Sequence, residues 1–377
     1  MSNYYFLFGN TPSLSFLELQ SLAEGVTSVT PNLAKVDLGS EEIAKALFNK
    51  TGGTVKLVKE IGPLAESDED SLALIAAYLN EHKGESKLTF GLGILGLDNL
   101  ELSETKIKKQ LKKDHDLSSR FIEHTKTGLS ASVLLHQDDV IEVCAIGTTD
   151  GNMLGETIAV QDIDDWTNRD RSKPYADRKK GMLPPKVARM MINIAAGSDK
   201  KTIYDPFCGT GTVLSEALML GHDVVGSDLD GHATAGAEKN IAWIKKEYNL
   251  DGESKIFYSD ASQVHKMSDL RNKPVDAIVT EPFLGKPKPE LKQLENIYKG
   301  LEKMYLGAFK AFKEVLKNQG RIVIVFPMVE APRKTYDLSK LIDKLSALGY
   351  TTTSEPIVYA RKGAVVQRQI FVFTLNK

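Results

Sequence analysis

From Lys201 onward the chain repeats one pattern: a short apolar run, a turn rich in glycine or acid, then a helix-spaced segment. The runs at 202–204, 223–227, 255–258, 275–280 and 321–326 read as strands. Helical spacing covers 212–220, 233–248, 291–316 and 338–348. Such alternation builds a parallel sheet with helices on its faces. The tail departs from it. Segments 357–359 and 365–373 are extended runs separated by Arg361-Lys362-Gly363, which signals a hairpin. The predicted fold class is therefore α/β, a Rossmann-like parallel sheet ending in a C-terminal antiparallel hairpin. No internal repeat or low-complexity tract interrupts it.

The first 160 residues alternate on a smaller scale. Strand-like runs at 4–8, 33–38 and 54–58 flank two helical patterns. The first holds Leu14, Leu17, Leu19 and Leu22 after Pro12, and the second Ile43, Ala44, Leu47 and Phe48 after Ser40, a suitable N-cap. This βαβαβ order predicts a small α+β, ferredoxin-like domain over 1–60. A second small unit is predicted over 61–160: a helix at 71–79, an apolar strand at 87–95, a basic helix at 104–113, and further runs at 120–123, 130–135 and 140–146. Residues 161–181 are polar, mixed in charge and contain Pro174, so they read as a linker. Pro184 and Pro185 then open a helix through Ala196, within a domain expected over 182–377.

Charge divides the same way. Residues 1–165 carry 14 basic and 26 acidic side chains, and residues 166–377 carry 34 and 24. A basic half is compatible with a nucleic-acid partner, or with two halves that attract each other. Cys144 and Cys208 are too few for a disulfide framework or a four-cysteine zinc site, which suggests a reducing, cytoplasmic setting. No apolar run approaches about 18 residues. The opening MSNYYFLFGN lacks a basic n-region and reads as a strand rather than a signal peptide. The seven histidines form no H-x-x-x-H or His/Cys pair at metal spacing, so no metal site is expected.

The densest chemistry lies in Asp205-Pro206-Phe207-Cys208-Gly209-Thr210-Gly211-Thr212, after an apolar strand and opening a helix. Glycines there let the backbone approach a ligand closely. A dinucleotide fold needs a third small residue where Leu214 stands, and Asp205 would repel a pyrophosphate. A P-loop lacks its Gly-Lys-Ser/Thr. A strand-end carboxylate suits a cationic ligand instead, such as the amino group and sulfonium of S-adenosylmethionine. Two more carboxylates follow at strand ends. Asp228, followed by Leu229, could accept ribose hydroxyls. Asp260, followed by Ala261, could take an adenine amine. A lone Asp there is usually a helix cap; three in succession fit the ligand edge of an open α/β sheet. Cys208 reads as a small packing residue of the loop.

The fourth strand ends in Glu281-Pro282-Phe283-Leu284-Gly285. An exocyclic base amine is conjugated and weakly nucleophilic. A carboxylate and a backbone carbonyl can accept its hydrogens while an aromatic ring stacks on the extruded base. Amino-methyltransferases place Asp/Asn-Pro-Pro-Tyr/Phe at this point. Here Glu replaces Asp, Phe replaces the second Pro, and Leu replaces the aromatic. Glu281 is the candidate acceptor and also borders the cofactor position, and Phe283 could supply the stack from the neighbouring position.

With these residues assembled, the chain resembles the archaeal-type tRNA guanosine-10 N2-methyltransferase family and its eukaryotic relatives. The resemblance includes Val160 to Ala195, with Arg169-Asp170 and Gly181 to Lys186, and the closing Tyr359 to Phe373. It implies a class I methyltransferase sheet, S-adenosylmethionine as cofactor, tRNA as partner and a THUMP-like RNA-binding domain over 61–160. Thr51 to Lys56 and Ser130 to His136 are similar to the matching N-terminal segments. Adenine N6 in RNA or DNA, and a non-catalytic RNA-binding protein that retains the cofactor pocket, are the alternatives that EPFLG leaves open. The small-molecule alternative is disfavoured by the N-terminal domains and the linker.

Candidate RNA contacts follow from basic spacing. Lys106, Lys109 and Lys113 share one helix face. Arg169, Arg171, Arg178, Lys179 and Lys180 cluster in the linker, and Lys286 and Lys288 follow Gly285. Phosphate contact is the functional reading, and a solvated face is the plain alternative.

Overall fold

The computed structural model describes residues 2–97, 101–123, 127–137, 139–176, 183–360 and 363–377. The chain forms two units, Met1–Asp165 and Trp166–Lys377, each with its own sheet.

The first unit runs β1 (Ser2–Phe8), α1 (Pro12–Leu22), β2 (Thr27–Thr30), β3 (Leu33–Leu38), α2 (Glu41–Lys50), β4 (Thr54–Pro63) and α3 (Asp68–Glu81). It continues with β5 (Thr89–Leu95), α4 (Glu104–His115), β6 (Arg120–Phe121), α5 (Ala131–His136), β7 (Val140–Thr148) and β8 (Gly151–Val160). Serine caps start several helices: Ser40 accepts the Ile43 N–H at 3.3 Å and Ser103 the Lys106 N–H at 3.4 Å. The strands form one eight-stranded sheet, β2-β3-β1-β4-β8-β7-β5-β6. Its two halves meet where β4 pairs antiparallel with β8, from Lys56↔Val160 to Pro63↔Met153. The boundary drawn at residue 60 from sequence thus falls inside β4. Strands β2 and β8 carry no clean apolar alternation, which is why periodicity did not mark them.

A helix, α6 (Ile163–Arg171), occupies much of the segment read as a linker; residues 177–182 lie outside the described residues. The second unit continues with α7 (Pro185–Ala196), β9 (Thr202–Asp205), α8 (Thr212–Met219), β10 (Asp223–Asp228), α9 (Gly231–Glu247), β11 (Ser254–Tyr258) and α10 (Ser268–Asn272). Then come β12 (Val275–Thr280), α11 (Leu294–Val315), β13 (Leu316–Ala331), β14 (Lys334–Tyr336), α12 (Ser339–Ser346), β15 (Tyr350–Thr352), β16 (Ile357–Tyr359) and β17 (Gln367–Leu375).

The main strand order is β11-β10-β9-β12-β13-β17-β15. The pairs from β11 to β13 are parallel, and β17 inserts antiparallel between β13 and β15. The predicted hairpin partners do pair, Ile357 opposite Ile370, but β17 is also wedged between β13 and β15. Order reverses at β9, with β10 on one side and β12 on the other. An open sheet has its crevice there, outside the carboxyl ends of the strands. Behind that edge, α11 buries Tyr305, Phe309 and Phe312 against Phe326 and Phe373 in a continuous aromatic core. Helix α7 is buried at every position except Lys186 and covers β12 and β13.

Candidate active site

Registers Gly226↔Asp205 and Ile278↔Tyr204 bring the ends of β9, β10 and β12 to one edge. The chain leaves β9 through a tight turn. Gly209 and Gly211 take φ of +50° and +82°, a region costly for residues with a Cβ. A Cβ at Gly209 would meet nothing within 4 Å, so this face of the turn is open to a ligand. The turn is held by backbone bonds, Cys208 N–H to Ser227 O at 2.9 Å and Gly211 N–H to Cys208 O at 2.8 Å. Pro206 and Thr210 are buried, and Phe207 and Thr212 are half-buried. Cys208 is buried, and burial pushes its thiol well above its usual value, which fits a packing role.

Asp205 is buried and accepts from Thr280 Oγ1 at 2.6 Å and from the Phe207 N–H at 3.1 Å. Burial nevertheless pushes its carboxyl up to about 7, with Asp228 and Glu281 adding like-charge repulsion. A carboxylate so placed lacks a full counter-charge, and a cationic ligand would supply one. Asp228 accepts the Gly209 N–H with Oδ2 and the Asp230 N–H with Oδ1, each at 2.9 Å. It thereby ties the turn to the end of β10 and retains further lone pairs for ligand hydroxyls. Leu229 beside it is 62% exposed. Asp260 is exposed and caps the short 3-10 turn Ala261–Lys266, accepting the Ser262 N–H at 2.8 Å; Ala261 is buried.

Among the described residues, three contacts hold the fourth strand end. Thr280 bonds Asp205, as above. Glu281 is ion-paired to Arg368 of β17. The Tyr305 hydroxyl donates to the Phe283 carbonyl at 2.7 Å. Burial, with the charge of Glu281 adding to it, keeps that hydroxyl protonated. Pro282 is buried, Leu284 is half-buried, and the ring of Phe283 is 63% exposed at the crevice edge. Gly285 turns the chain with φ of +89°.

The turn is also braced from behind. Buried Asn240 of α9 donates to Thr210 O at 2.8 Å and to Tyr175 O at 2.9 Å, and accepts the Tyr175 N–H at 2.9 Å. The Tyr175 ring lies on Gly236, where a Cβ would come within 2.1 Å of it. Glu216 of α8 lies buried between Arg169 Nε at 2.9 Å and Arg189 Nη2 at 2.8 Å, and Trp166 stacks on both guanidinium groups.

This corrects the reading of Arg169 as an RNA contact. Its side chain is 2% exposed and committed to Glu216, so it anchors α6 to α8. Arg171, Lys286 and Lys288 are exposed, while Arg178, Lys179 and Lys180 lie outside the described residues. In the first unit, Ile107 and Leu111 bury the inner face of α4 and leave Lys106, Lys109 and Lys113 exposed; Lys106 bonds Glu101 at 3.2 Å. Sequence reasoning missed Arg368, Tyr305, Thr280 and Asn240. Only Arg368 had a nearby signal, the predicted hairpin.

Residues 174–348 match the family model described as UPF0020, RMKL-like, methyltransferase domain, a stretch within the second unit. The tRNA (guanine(10)-N2)-dimethyltransferase of Methanocaldococcus jannaschii is 34% identical over 149 residues, 39% of this chain and 38% of that protein. A probable tRNA (guanine(10)-N2)-dimethyltransferase of Methanothermococcus thermolithotrophicus is 30% identical over 140 residues, 37% of this chain and 77% of that protein. The chain belongs to the tRNA (guanine(10)-N2)-dimethyltransferase family. Its match spans under two-fifths of the Methanocaldococcus relative's length. TrmN from Thermus thermophilus shares the fold, with a TM-score of 0.56, 16% identity and full coverage of both chains. This member of the family carries a class I methyltransferase sheet, and its Gly-rich turn and strand-end carboxylates stand at the sheet's carboxyl edge.

Proposed function

We propose that the protein methylates the N2 amine of a guanine in tRNA, with S-adenosylmethionine as donor. The observation that carries this is the crevice edge of the second unit. There a buried, under-compensated carboxylate and an open glycine turn stand beside a carboxylate–proline–aromatic segment. The residues fit the cofactor. Asp205 suits its amino group, Asp228 the ribose hydroxyls, Asp260 the adenine amine, and Leu229 and Ala261 the faces of the adenine. When bound, S-adenosylmethionine supplies an electrophilic methyl group on a sulfonium.

The chain's own residues then do three things. Glu281 and the Pro282 carbonyl accept hydrogen bonds from the guanine amine, orienting its nitrogen toward the methyl. Phe283 stacks on the extruded base. The turn and strand ends hold both partners in line, so the rate rests on positioning and electrostatics. The first unit serves as a ferredoxin-like and THUMP-like platform for folded tRNA, with Lys106, Lys109 and Lys113 on phosphates and Lys286 and Lys288 near the target. A cytoplasmic setting is consistent with that substrate. The test is methyl transfer from labelled S-adenosylmethionine to unmodified total tRNA, followed by nucleoside mass analysis. N2-methylguanosine is the expected product. Methyl in another nucleoside, or none from a protein that binds the cofactor, would refute the assignment.

A further inference from the structure

We propose that Arg368 is a positioning residue for Glu281, and that this pair is what lets a glutamate serve where amino-methyltransferases carry Asp or Asn. The inference rests on the reading above that Glu281 accepts the target amine's hydrogen bonds. Glutamate is one methylene longer than aspartate and has one more torsion to fix. Left alone at a strand end, its carboxylate would sample several rotamers, and few would face a base held in the crevice. The Arg368 guanidinium removes that freedom by bonding Glu281 Oε1 through Nε.

The placement is specific. Arg368 stands opposite Pro327 of β13, and β13 lies beside β12 with Ile324 opposite Thr280. The guanidinium therefore reaches across β13, near Val325 to Pro327, to Glu281. The two side chains are 14% and 11% exposed, so solvent weakens the pair far less than it would a surface bridge. Charge makes the same demand. Asp205 and Asp228 stand at the same edge, and Asp205 feels the like charge of both Asp228 and Glu281. With Thr280 tied to Asp205 and Phe283 O tied to Tyr305, the Arg368 bond completes a set of anchors at residues 280, 281 and 283.

The test compares full-length wild type, Arg368→Met, Arg368→Lys, Glu281→Gln and the Glu281→Gln/Arg368→Met double variant. Readouts are kcat and KM on unmodified total tRNA and the Kd of S-adenosylhomocysteine. Arg368→Met should lower kcat tenfold or more, with the KM for tRNA and the Kd for S-adenosylhomocysteine within twofold of wild type. Arg368→Lys should recover part of the loss, and the double variant should be no slower than Glu281→Gln alone. Unchanged kcat in Arg368→Met, a loss carried by KM, or multiplied losses in the double variant would overturn the proposal. A wild type that transfers no methyl to tRNA would overturn the functional reading and this inference together. An active wild type matched by Arg368→Met would overturn the inference alone.

Discussion

Lowering the pH from 7.5 to 6 should strip most of the charge from Asp205 and loosen the cofactor. With its carboxyl pushed up to about 7, about three-quarters of it is ionised at pH 7.5 and about one-tenth at pH 6. If the ionised form binds the ligand's amino group, the association constant should fall roughly eightfold, about 1 kcal/mol. Calorimetric titration with S-adenosylhomocysteine at the two pH values measures this directly. Asp205→Asn keeps the shape and an oxygen for Thr280 and Phe207, but has no charge to lose. It should bind weakly and with little dependence on pH. The same shift acts on the unliganded protein. The folded value lies above the unfolded one of 3.8, so the folded chain holds a proton that the unfolded chain releases between them. Stability should therefore fall as pH rises from about 4 to 7, by on the order of 4 kcal/mol in total. Asp205→Asn should melt at higher temperature than wild type near pH 7.5 while binding less ligand. A wild type whose affinity does not change with pH, or an Asn variant with the same slope, would refute the argument.

Asp228→Ala removes the partner of two backbone N–H groups as well as the proposed ribose contact, so S-adenosylhomocysteine affinity should drop at least tenfold in the same titration. Arg169→Ala leaves Glu216 with one cation in place of two. It should cost about 3 kcal/mol in chemical denaturation without touching the proposed tRNA contacts. Replacing Lys106, Lys109 and Lys113 together by Ala should weaken tRNA binding and reduce its log–log salt slope by roughly 2 to 3 in filter-binding titrations. An unchanged slope would return that face of α4 to the role of a solvated surface.

The parts that were legible in the sequence are those written locally. The strand–turn–helix repeat of the second unit shows because each apolar run is bounded by its own turn residues. Asp205, Asp228 and Asp260 stand out because they recur at strand ends. What was hidden depends on partners far apart in the chain. Arg368 and Glu281 are 87 residues apart, and Asn240 and Tyr175 are 65 apart. No periodicity connects such pairs. Arg169 misled for the opposite reason. In a run of polar, charged residues it has the composition of a solvated linker, and only the fold shows Glu216 and Trp166 enclosing it. The β4–β8 pairing was invisible because β8 carries no clean apolar alternation, and β4 reads as a strand whether or not the two small units share a sheet.

The antiparallel insertion of β17 has a consequence for synthesis. Glu281 leaves the ribosome 87 residues before Arg368, an interval of roughly 4 to 17 seconds at about 5–20 residues per second. During it, β9 to β13 can already pair as a parallel set, with the cofactor turn formed and Glu281 still without its guanidinium. Competence for the proposed methyl transfer would then arrive as a discrete late event, when β17 slides between β13 and β15. A ribosome stalled between Glu281 and Arg368 would display a nascent chain able to fold its turn yet unable to complete the chemistry.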